Sequence, residues 1–381
     1  MFNIIILGLT SFFTDVASEM VYPLVPFFLT VKLGASPAVL GMIEGIAESL
    51  ASLLKIFSGY ISDRFKNRKG LTIVGYASSA LGKVMLYVAA GWGMVLGGRV
   101  VDRLGKGIRT APRDALIADS SAEGKRGTAY GLHRAMDTAG ATLGVLLAYL
   151  FFTSFAQGEY APVFLWSLIP AAIGVALLFL VREARPKEGK QARLPSFRWS
   201  VLPRKLQLFL VVALIFTLGN SSNTFLLLRA KNLGFTPATA ILLYLVYNVV
   251  YGLLSYPAGR LSDRIGRKTL LVAGYAFYGL VYLGFALVNL PSQAWVLWAL
   301  FGFYGLYIGF TEGVEKALVA DLAPADLRAT AIGLHATIVG IGLFPASFIA
   351  GQLWDRIAPS AAFYFGGGMG LLAAVGLMLA L

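Results

Sequence analysis

The sequence predicts an all-α membrane protein with twelve transmembrane helices in two pseudo-symmetric six-helix bundles. Three observations support this fold class. Of the 381 residues, 57% are hydrophobic and 13% are charged, which is too apolar for an ordinary soluble domain. Polar breaks divide the chain into apolar segments of about 20 residues, the length that crosses a bilayer. Two motifs also recur at nearly the same spacing in the two halves.

Each helix is bounded by polar breaks, because an open loop in hydrocarbon leaves its amides without hydrogen-bond partners. The most polar stretch, residues 182–205, is predicted to be a cytoplasmic linker between an N-terminal bundle, residues 1–181, and a C-terminal bundle, residues 206–381. The predicted helices cover residues 4–31, 37–60, 70–91, 93–118, 126–153, 162–181, 206–228, 237–258, 269–289, 293–319, 328–354 and 360–381.

The basic residues predict the orientation of the chain in the membrane. Alternate predicted loops hold 19 Lys and Arg residues on one side and 4 on the other. Because basic loops stay on the cytoplasmic side, both termini are expected there, in the inner (plasma) membrane of a prokaryote. The net charge of +13 therefore reflects topology, and no nucleic-acid partner is expected. The absence of cysteine excludes disulfides and thiolate metal sites.

Two internal repeats indicate a duplicated six-helix unit. GYISDRFKNRK at residues 59–69 and GRLSDRIGRK at residues 259–268 share a glycine, Ser-Asp-Arg and a basic end, at an offset of 200 residues. ADSSAEGKRGTAYGLH at 118–133 and ADLAPADLRATAIGLH at 320–335 match at an offset of 202. Many secondary carriers are built by such a duplication.

Over its whole length the sequence resembles the major facilitator superfamily of secondary transporters, in its bacterial and archaeal exporter-like branch. The family signature G-x-x-x-D-R-x-G-R-[KR] is met fully in the second half. In the first half, Lys66 and Asn67 depart from it, and Arg68 or Lys69 supplies its basic end. The resemblance implies that both copies latch the bundles at the cytoplasmic side. The expected gating residues are Gly59, Asp63, Arg64, Gly259, Asp263, Arg264 and Arg267.

Ionisable residues inside the predicted helices are the candidates for coupling. Each costs at least about 2.5–3.5 kcal/mol at mid-bilayer, so it is expected to face a partner or a water-filled path. Asp15 and Glu19 share one face of helix 1. One face of helix 4 is basic and carries Arg99, Arg103, Lys106, Arg109 and Arg113. These groups either neutralise one another between helices or form a path for solute and protons.

We predict that Asp15, Glu19 and Arg103 couple proton movement to transport. The resemblance implies that helices 1, 4, 7 and 10 line the cavity, and that an Arg-x-x-x-Gly element, here Arg103 and Gly107, is associated with proton coupling. A carboxylate beside an arginine binds a proton more readily once a solute has taken the arginine.

Charged groups of the first half and amide and aromatic groups of the second are predicted to bind an organic solute. The tyrosines at helical spacing could equally serve packing or an interface belt. The predicted solute-binding residues are Glu44, Glu48, Arg109, Arg134, Asp137, Asn220, Asn223, Tyr247, Asn248, Tyr251, Glu312 and Glu315.

The sequence thus predicts a secondary active transporter, not an enzyme, that moves a small organic solute by alternating access. Proton-coupled antiport for efflux is preferred, although Val145 replaces the proline of the G-x-x-x-G-P element of antiporters after Gly140 and Gly144. The alternatives are a proton-coupled symporter for an organic anion and a divalent metal-ion carrier using the paired acids of helices 1 and 2. The expected partners are solute, protons and membrane lipid; the expected state is a monomer without cofactor or resident metal.

Overall fold

A computed structural model describes residues 2–65, 67–121, 126–182, 199, 202–288, 293, 295–324 and 327–381. Within these ranges, twelve helical segments follow one another, and each overlaps one predicted helix, which confirms the predicted fold class. They are α1 (Phe2–Lys32), α2 (Pro37–Phe65), α3 (Arg68–Tyr87), α4 (Trp92–Ser120), α5 (Arg126–Leu150, continued by Phe151–Phe155), α6 (Tyr160–Leu178), α7 (Arg204–Gly219 and Thr224–Asn232), α8 (Pro237–Ile265), α9 (Arg267–Leu287), α10 (Val296–Leu322), α11 (Arg328–Arg356) and α12 (Pro359–Ala380).

Nine of the described segments are long and apolar enough to cross a membrane, and α3, α4 and α10 are less apolar. Some of their polar side chains are buried in the protein: Lys83 on α3, Arg103 on α4 and Tyr304 on α10 are at most 9% exposed. A side chain that faces other helices does not need the apolar character that lipid demands. We therefore look for functional sites on the polar faces of α3, α4 and α10 that contact other helices.

The helix ends differ from the prediction at two places that matter for function. α2 and α8 continue to Phe65 and Ile265, so the repeated Ser-Asp-Arg sequence lies in the last turns of a helix rather than in a loop. The predicted continuous helix 7 is interrupted between Gly219 and Thr224. The interrupting residues, Asn-Ser-Ser-Asn, have short polar side chains that compete for backbone hydrogen bonds and favour such breaks.

The helices group into two compact units, one of Met1–Leu33 with Leu50–Leu194, the other of Gly34–Ser49 with Pro195–Leu381. In the first unit α1 packs on α5 and α6, and α3 packs on α4; in the second α9 packs on α12 and α8 on α10. The first half of α2 belongs to the second unit, where the Ser49 hydroxyl donates to the Gly340 carbonyl at 2.6 Å. The predicted division at the 182–205 linker stays a prediction, since most of that stretch lies outside the described residues.

Two glycines allow α1 and α5 to approach closely. A Cβ atom at Gly140 would overlap the carbonyl oxygen of Phe12, and one at Gly144 would overlap that of Val16. Small residues four positions apart let transmembrane helix backbones touch. Packing therefore accounts for this glycine pair without any reference to the direction of transport.

We expect Gly140→Ala to destabilise the first unit by about 1–3 kcal/mol, because the added methyl group meets backbone that cannot rotate away. Gly131→Ala on the same helix is the matched control, since no atom lies within 4 Å of a Cβ at that position. The measurement is the thermal unfolding midpoint of the purified protein. Equal midpoints for the two variants would contradict the assignment of Gly140 to helix packing.

Candidate functional site

The first unit contains a polar cavity of about 50 Å³ between α1, α3 and α4. Asp15 and Glu19 of α1 line it together with Arg103 of α4, so the structure brings the three predicted coupling residues to one place. The rest of its charged lining is Lys83, Arg99, Asp102, Lys106 and Arg109. Because the cations of α4 recur every three or four residues, one helix face presents them all to the cavity.

A buried ion pair that the sequence reasoning missed lies at the cavity wall. Lys83 Nζ is 3.5 Å from Asp102 Oδ1 and 3.4 Å from the Ser79 carbonyl oxygen, to which it donates. Lys83 is 2% exposed and Asp102 8% exposed. The available signal was a lysine in the middle of an otherwise apolar predicted helix, where a charge needs a partner.

Two of the arginines that line the cavity make cation–π contacts with tyrosine rings. The Arg109 guanidinium lies 4.2 Å from the centre of the Tyr76 ring and donates to the Ser79 hydroxyl. The Arg99 guanidinium lies 5.4 Å from the centre of the Tyr22 ring. Such cation–π contacts orient a guanidinium without neutralising its charge.

Arg113, the fifth cation of α4, is not part of the cavity lining. Its guanidinium donates to Asp114 Oδ1 at 2.8 Å and to the Ser11 hydroxyl at 3.3 Å. Ser11 also contacts the Tyr76 hydroxyl at 2.8 Å and His133 Nε2 at 2.9 Å. Predicted Asp137 lies 3.5 Å from His133 Nδ1, and the other predicted residue of α5, Arg134, is exposed. These two residues therefore lie outside the cavity.

Glu44 and Glu48 belong to the second unit, whereas Asp15 and Glu19 belong to the first. Glu44 is completely buried, and its carboxylate accepts a hydrogen bond from the Ser222 hydroxyl at 3.3 Å, at the break in α7. The four acids proposed as metal ligands are thus divided between the two units. Among the described residues, no group of three or more His, Asp or Glu side chains could hold a metal ion.

The break in α7 is surrounded by tyrosines. Tyr304 donates from its hydroxyl to Asn223 Oδ1 at 2.7 Å, and Asn223 Nδ2 donates to the Tyr247 hydroxyl at 3.4 Å. Asn220 Nδ2 donates to the Tyr307 hydroxyl at 3.3 Å. The structure thus brings predicted Asn220, Asn223 and Tyr247 into one cluster.

Sequence reasoning missed the tyrosines that α9 and α10 contribute to this cluster. Tyr278 donates to the Gly219 carbonyl at 2.8 Å, where α7 stops, and its ring centre lies 4.8 Å from that of Tyr307. The spacing of Tyr275, Tyr278 and Tyr282 marks one face of α9, so helical periodicity was the available signal.

Two acids on α10 accept hydrogen bonds from tyrosines. Glu312 accepts from Tyr251, and Glu315 Oε1 accepts from Tyr275 at 3.0 Å. Glu315 Oε2 also lies 3.6 Å from His335 Nε2. Predicted Asn248 instead donates to the Tyr244 carbonyl of its own helix at 2.9 Å, which leaves fewer of its groups for a solute.

The two sequence repeats are joined by an ion pair in each unit. Arg68 pairs with Asp119 in the first unit, and Arg267 Nη1 lies 2.5 Å from Asp321 Oδ2 in the second. Both arginines come from the first motif and both aspartates from the second. The two motifs of each half therefore fix the ends of neighbouring helices to each other.

The first copy of the signature is one residue longer than the second. Lys69 donates to the Phe179 carbonyl, and Lys268 donates to the equivalent Met378 carbonyl, 199 residues further along the chain. Gly266, with φ +92°, turns the chain in the second copy. In the first copy Asn67 accepts from the Gly70 amide at 2.8 Å and caps α3. The two copies thus begin the following helix differently, with Asn67 as the cap in one and Gly266 in the other.

The structure describes side-chain contacts for some of the predicted gating residues only. Gly59, Asp63 and Arg64 lie in the last turns of α2, and their side chains lie outside the described residues. In the second copy, Gly259 lies in α8, Asp263 Oδ1 is 3.7 Å from Arg267 Nη2, and Arg264 is exposed.

Twelve helical segments in the described residues, an internal duplication and a charged cavity between helices are the features of a membrane transporter. The sequence profile of the Major Facilitator Superfamily matches residues 7–228 and 208–381, and the chain belongs to that family. It is 38% identical to the uncharacterized MFS-type transporter MJ1317 of Methanocaldococcus jannaschii, over 97% of this chain and 93% of the relative. It is 24% identical to the multidrug resistance protein MdtH of Escherichia coli O1:K1 / APEC, over 88% and 82% of the two chains.

Solved structures share the fold at low sequence identity. The nucleoside transporter NupG has a TM-score of 0.80 at 14% identity, with 100% of this chain and 99% of that chain covered. An auto-inhibited POT family peptide transporter has a TM-score of 0.81 at 13% identity, with 100% and 96% covered. At such identities the likeness establishes the fold alone.

We expect Asp102→Asn to destabilise the protein by about 3–5 kcal/mol, because it leaves Lys83 buried beside a neutral amide. The double variant Lys83→Met/Asp102→Leu should recover part of that loss, since it also removes the unpaired lysine; the part not recovered belongs to the arginines that Asp102 also faces. Thermal unfolding of the purified variants gives the comparison. An Asp102→Asn protein as stable as the unmodified chain would show that the pair carries no net stabilisation.

Proposed function

We propose that this chain is a proton-coupled secondary transporter that moves a small organic solute by alternating access. The observation that supports it best is the cavity in which Asp15 and Glu19 of α1 meet Arg103 of α4. Acids and bases that line one cavity inside membrane-spanning helices can exchange partners when a solute or a proton enters. Membership of a transporter family and the organic solutes named for NupG and the peptide transporter support the same function.

In this mechanism Asp15 or Glu19 binds the proton, and Arg103 binds the solute. While Arg103 faces the two carboxylates, its charge stabilises their ionised forms. A solute that binds Arg103 withdraws that stabilisation, and a carboxylate then takes up a proton. The transported proton is therefore bound on α1, in the same unit as the group that senses solute.

Efflux by antiport is the preferred direction, and it requires that solute and proton compete for Asp15 and Glu19, whereas the exchange at Arg103 alone produces symport. The relative MdtH, named as a multidrug resistance protein, supports it at 24% identity. The second candidate is proton-coupled symport of an organic anion, which is favoured by a specific observation: the cavity lining holds more cations than anions. A divalent metal ion is a poorer solute, because these cations repel it.

The tyrosine cluster around the α7 break is proposed to supply most of the solute selectivity. Its hydroxyls and amides are neutral hydrogen-bonding groups on aromatic faces, which suit an organic solute. Glu312 and Glu315 lie at the same helix, α10, and are held by Tyr251 and Tyr275. We assign proton coupling to the first unit and selectivity to the second.

Gating is proposed for the two copies of the signature at the ends of α2 and α8. The ion pair Arg68–Asp119 joins the start of α3 to the end of α4, and Arg267–Asp321 joins the start of α9 to the end of α10, so both stiffen the helix ends next to the signature copies. Alternating access requires each bundle to move largely as a rigid body, and ion pairs between neighbouring helix ends favour such movement. We further propose a monomer in the inner (plasma) membrane, with both termini cytoplasmic, as the basic loops predict.

Asp15→Asn and Glu19→Gln, made separately, should abolish gradient-driven accumulation in at least one case while downhill exchange continues. The reason is that the neutral side chain cannot carry a proton, although it still fits the cavity. The assay uses proteoliposomes with an imposed pH gradient and a panel of organic solutes. Glu159→Gln is the control, since Glu159 is an exposed carboxylate paired with exposed Lys32.

The sign of the flux in the same assay distinguishes the two directions of coupling. If the solute accumulates on the side that the protons leave, the result supports antiport. If it accumulates on the side that the protons enter, the result supports symport. If both variants still accumulate solute with unchanged pH dependence, the coupling site lies elsewhere.

Asp263→Asn should lower the rate of transport while solute affinity stays within a few-fold. The carboxylate contacts Arg267 at the helix end, far along α8 from Tyr247 and Tyr251 of the tyrosine cluster. Transport rate and equilibrium binding are measured on the same preparation, again with Glu159→Gln as the control. A parallel loss of affinity and rate would show that this residue shapes the solute site instead of gating it.

A further inference from the structure

We propose that Ser11, His133 and Asp137 form a proton relay beside the cavity of the first unit, with Asp137 as its proton-accepting end. This inference rests on the proposed function, because it takes protons to be transported together with or against a solute. It adds residues of α5 to proton coupling, which the proposed function assigns to α1 and α4.

The close approach of α1 and α5 brings these side chains together. The two backbones touch at Gly140 and Phe12. The short side chain of Ser11, one residue earlier, reaches across to His133, and its Oγ lies 2.9 Å from Nε2. Ser11 is 2% exposed and His133 4% exposed. Because both groups are buried, their polar hydrogens need partners within the protein.

Arg113 sets the direction of the hydrogen bonds. An arginine has donors only, and Arg113 donates to Ser11 Oγ at 3.3 Å and also hydrogen-bonds to the Tyr76 hydroxyl. Among the described residues, the other partner of that hydroxyl is Ser11, at 2.8 Å, so the Tyr76 hydrogen points to Ser11. Ser11 thus accepts twice and donates its own hydrogen to His133 Nε2.

This direction fixes the proton of the imidazole. With Nε2 accepting, the hydrogen of a neutral His133 lies on Nδ1, which is 3.5 Å from Asp137 Oδ2. The Asp137 carboxylate also interacts with Ser11, and its Oδ1 is buried without a hydrogen-bond partner among the described residues. Asp137 therefore lies at the accepting end of the chain and retains an oxygen that can take a proton.

A proton that reaches Ser11 can pass to Asp137 in one shift along this chain. Ser11 binds the incoming proton on Oγ and gives its own hydrogen to His133 Nε2, and Nδ1 gives its hydrogen to Asp137 Oδ2. Two bonds to hydrogen break, at Oγ and Nδ1, and three form, at Oγ, Nε2 and Oδ2, so the difference is the one added proton. The imidazole stays neutral and changes its tautomer.

The relay adjoins the acids of the cavity. Ser11 lies one turn before Asp15 on the same face of α1, about 5.4 Å along the axis, a gap that one water molecule can bridge. Asp15 and Asp137 also interact electrostatically. Ser11 and His133 lie in the first three turns of helices whose starts the basic loops predict to be cytoplasmic. The relay is thus a route between Asp15 and that side.

The groups that act on His133 and Asp137 come from four helices. They are Asp15 on α1, Tyr76 on α3, Arg109, Arg113 and Asp114 on α4, and Arg134 on α5. Arg113 already contacts Ser11, so a doubly protonated His133 would place two cations beside one hydroxyl. A change of tautomer moves the proton without creating that pair of like charges.

The test is nitrogen-15 NMR of the purified protein in nanodiscs, with labelled histidine. The chain has two histidines, so His335→Gln assigns each signal, and His133→Gln does so if that variant fails to fold. We expect His133 to be the neutral Nδ1–H tautomer at about pH 9 and to change to the neutral Nε2–H tautomer as the pH falls to about 4, near the usual pKa of an aspartate. Asp137→Asn, which keeps the shape and cannot accept the proton, should abolish the change.

Three spectra of the unmodified protein would overturn the relay. They are an Nε2–H tautomer at the alkaline end, a doubly protonated ring at the acidic end, and one tautomer that persists through the whole range. A change of tautomer that persists in the Asp137→Asn protein would show that another group accepts the proton. Thermal unfolding identifies a variant that fails to fold, and the unmodified protein then carries the test.

Ser11→Ala tests whether transported protons use the relay. Without the hydroxyl the path to His133 is cut, so the initial rate of gradient-driven accumulation in proteoliposomes should fall about tenfold, and Ser11→Thr should retain most of the rate. The final extent of accumulation should remain, because a relay changes the rate and not the driving force. Ser78→Ala is the control, since that hydroxyl is exposed and donates to the Val74 carbonyl of its own helix. Equal rates in the two alanine variants would overturn the relay.

Failure of this proposal is distinguishable from failure of the proposed function. The tautomer of His133 is read without solute or transport, whereas coupling is read from the Asp15→Asn and Glu19→Gln proteins. If one of those variants loses accumulation while the His133 tautomer does not respond to pH, the proposed function stands and the relay is wrong. If the tautomer responds as expected and the unmodified protein accumulates no solute of the panel, the proton site stands and the transport function is wrong.

Discussion

The first unit is organised by one constraint: the cations of α4 cannot face lipid. An arginine at mid-bilayer is costly unless it meets a partner or water, and α4 has four cations at helical spacing around one cavity. The helices packed against that face have to supply what these cations need. α1 provides Asp15 and Glu19, α4 itself provides Asp102, and α3 provides the ring of Tyr76 and the hydroxyl of Ser79. The polarity of α3 and α4 follows from this requirement, and so does the position of the cavity.

The second unit uses the same scaffold with different chemistry. His133 and His335 occupy matching positions of the second repeat, and Arg113 corresponds to Glu315 at the same offset of 202 residues. Arg113 donates to Ser11, which contacts His133, whereas Glu315 lies 3.6 Å from His335. Duplication thus preserved the histidine, and the sign of the neighbouring charge was reversed. Neutral tyrosine and amide groups then surround the α7 break, where backbone groups need hydrogen-bond partners.

The sequence predicts the fold well because hydrophobic length and loop charge act over whole helices, and each of the twelve predicted helices overlaps a described segment. It also predicts that Asp15, Glu19 and Arg103 belong together, because charges in apolar helices need partners. It does not predict the assignment of Glu44 to the α7 break, since the grouping of half of α2 with the second unit depends on contacts between distant segments. Lys83 and Tyr278 were missed for the same reason: their importance comes from partners on other helices, Asp102 and the α7 carbonyl.

The charge of the cavity also bears on the sign of coupling. With Asp15 and Glu19 ionised, the lining has two more cations than anions, and a proton added to either acid increases that excess. Proton binding to either acid would therefore be opposed by the neighbouring cations, and a solute that neutralises some of them would remove that opposition. By thermodynamic reciprocity the proton would then strengthen the binding of that solute by the same factor. Two ligands that strengthen each other in one cavity move together, so under the proposed function a solute of this kind is expected to be carried by symport, whereas antiport requires a solute that competes with the proton.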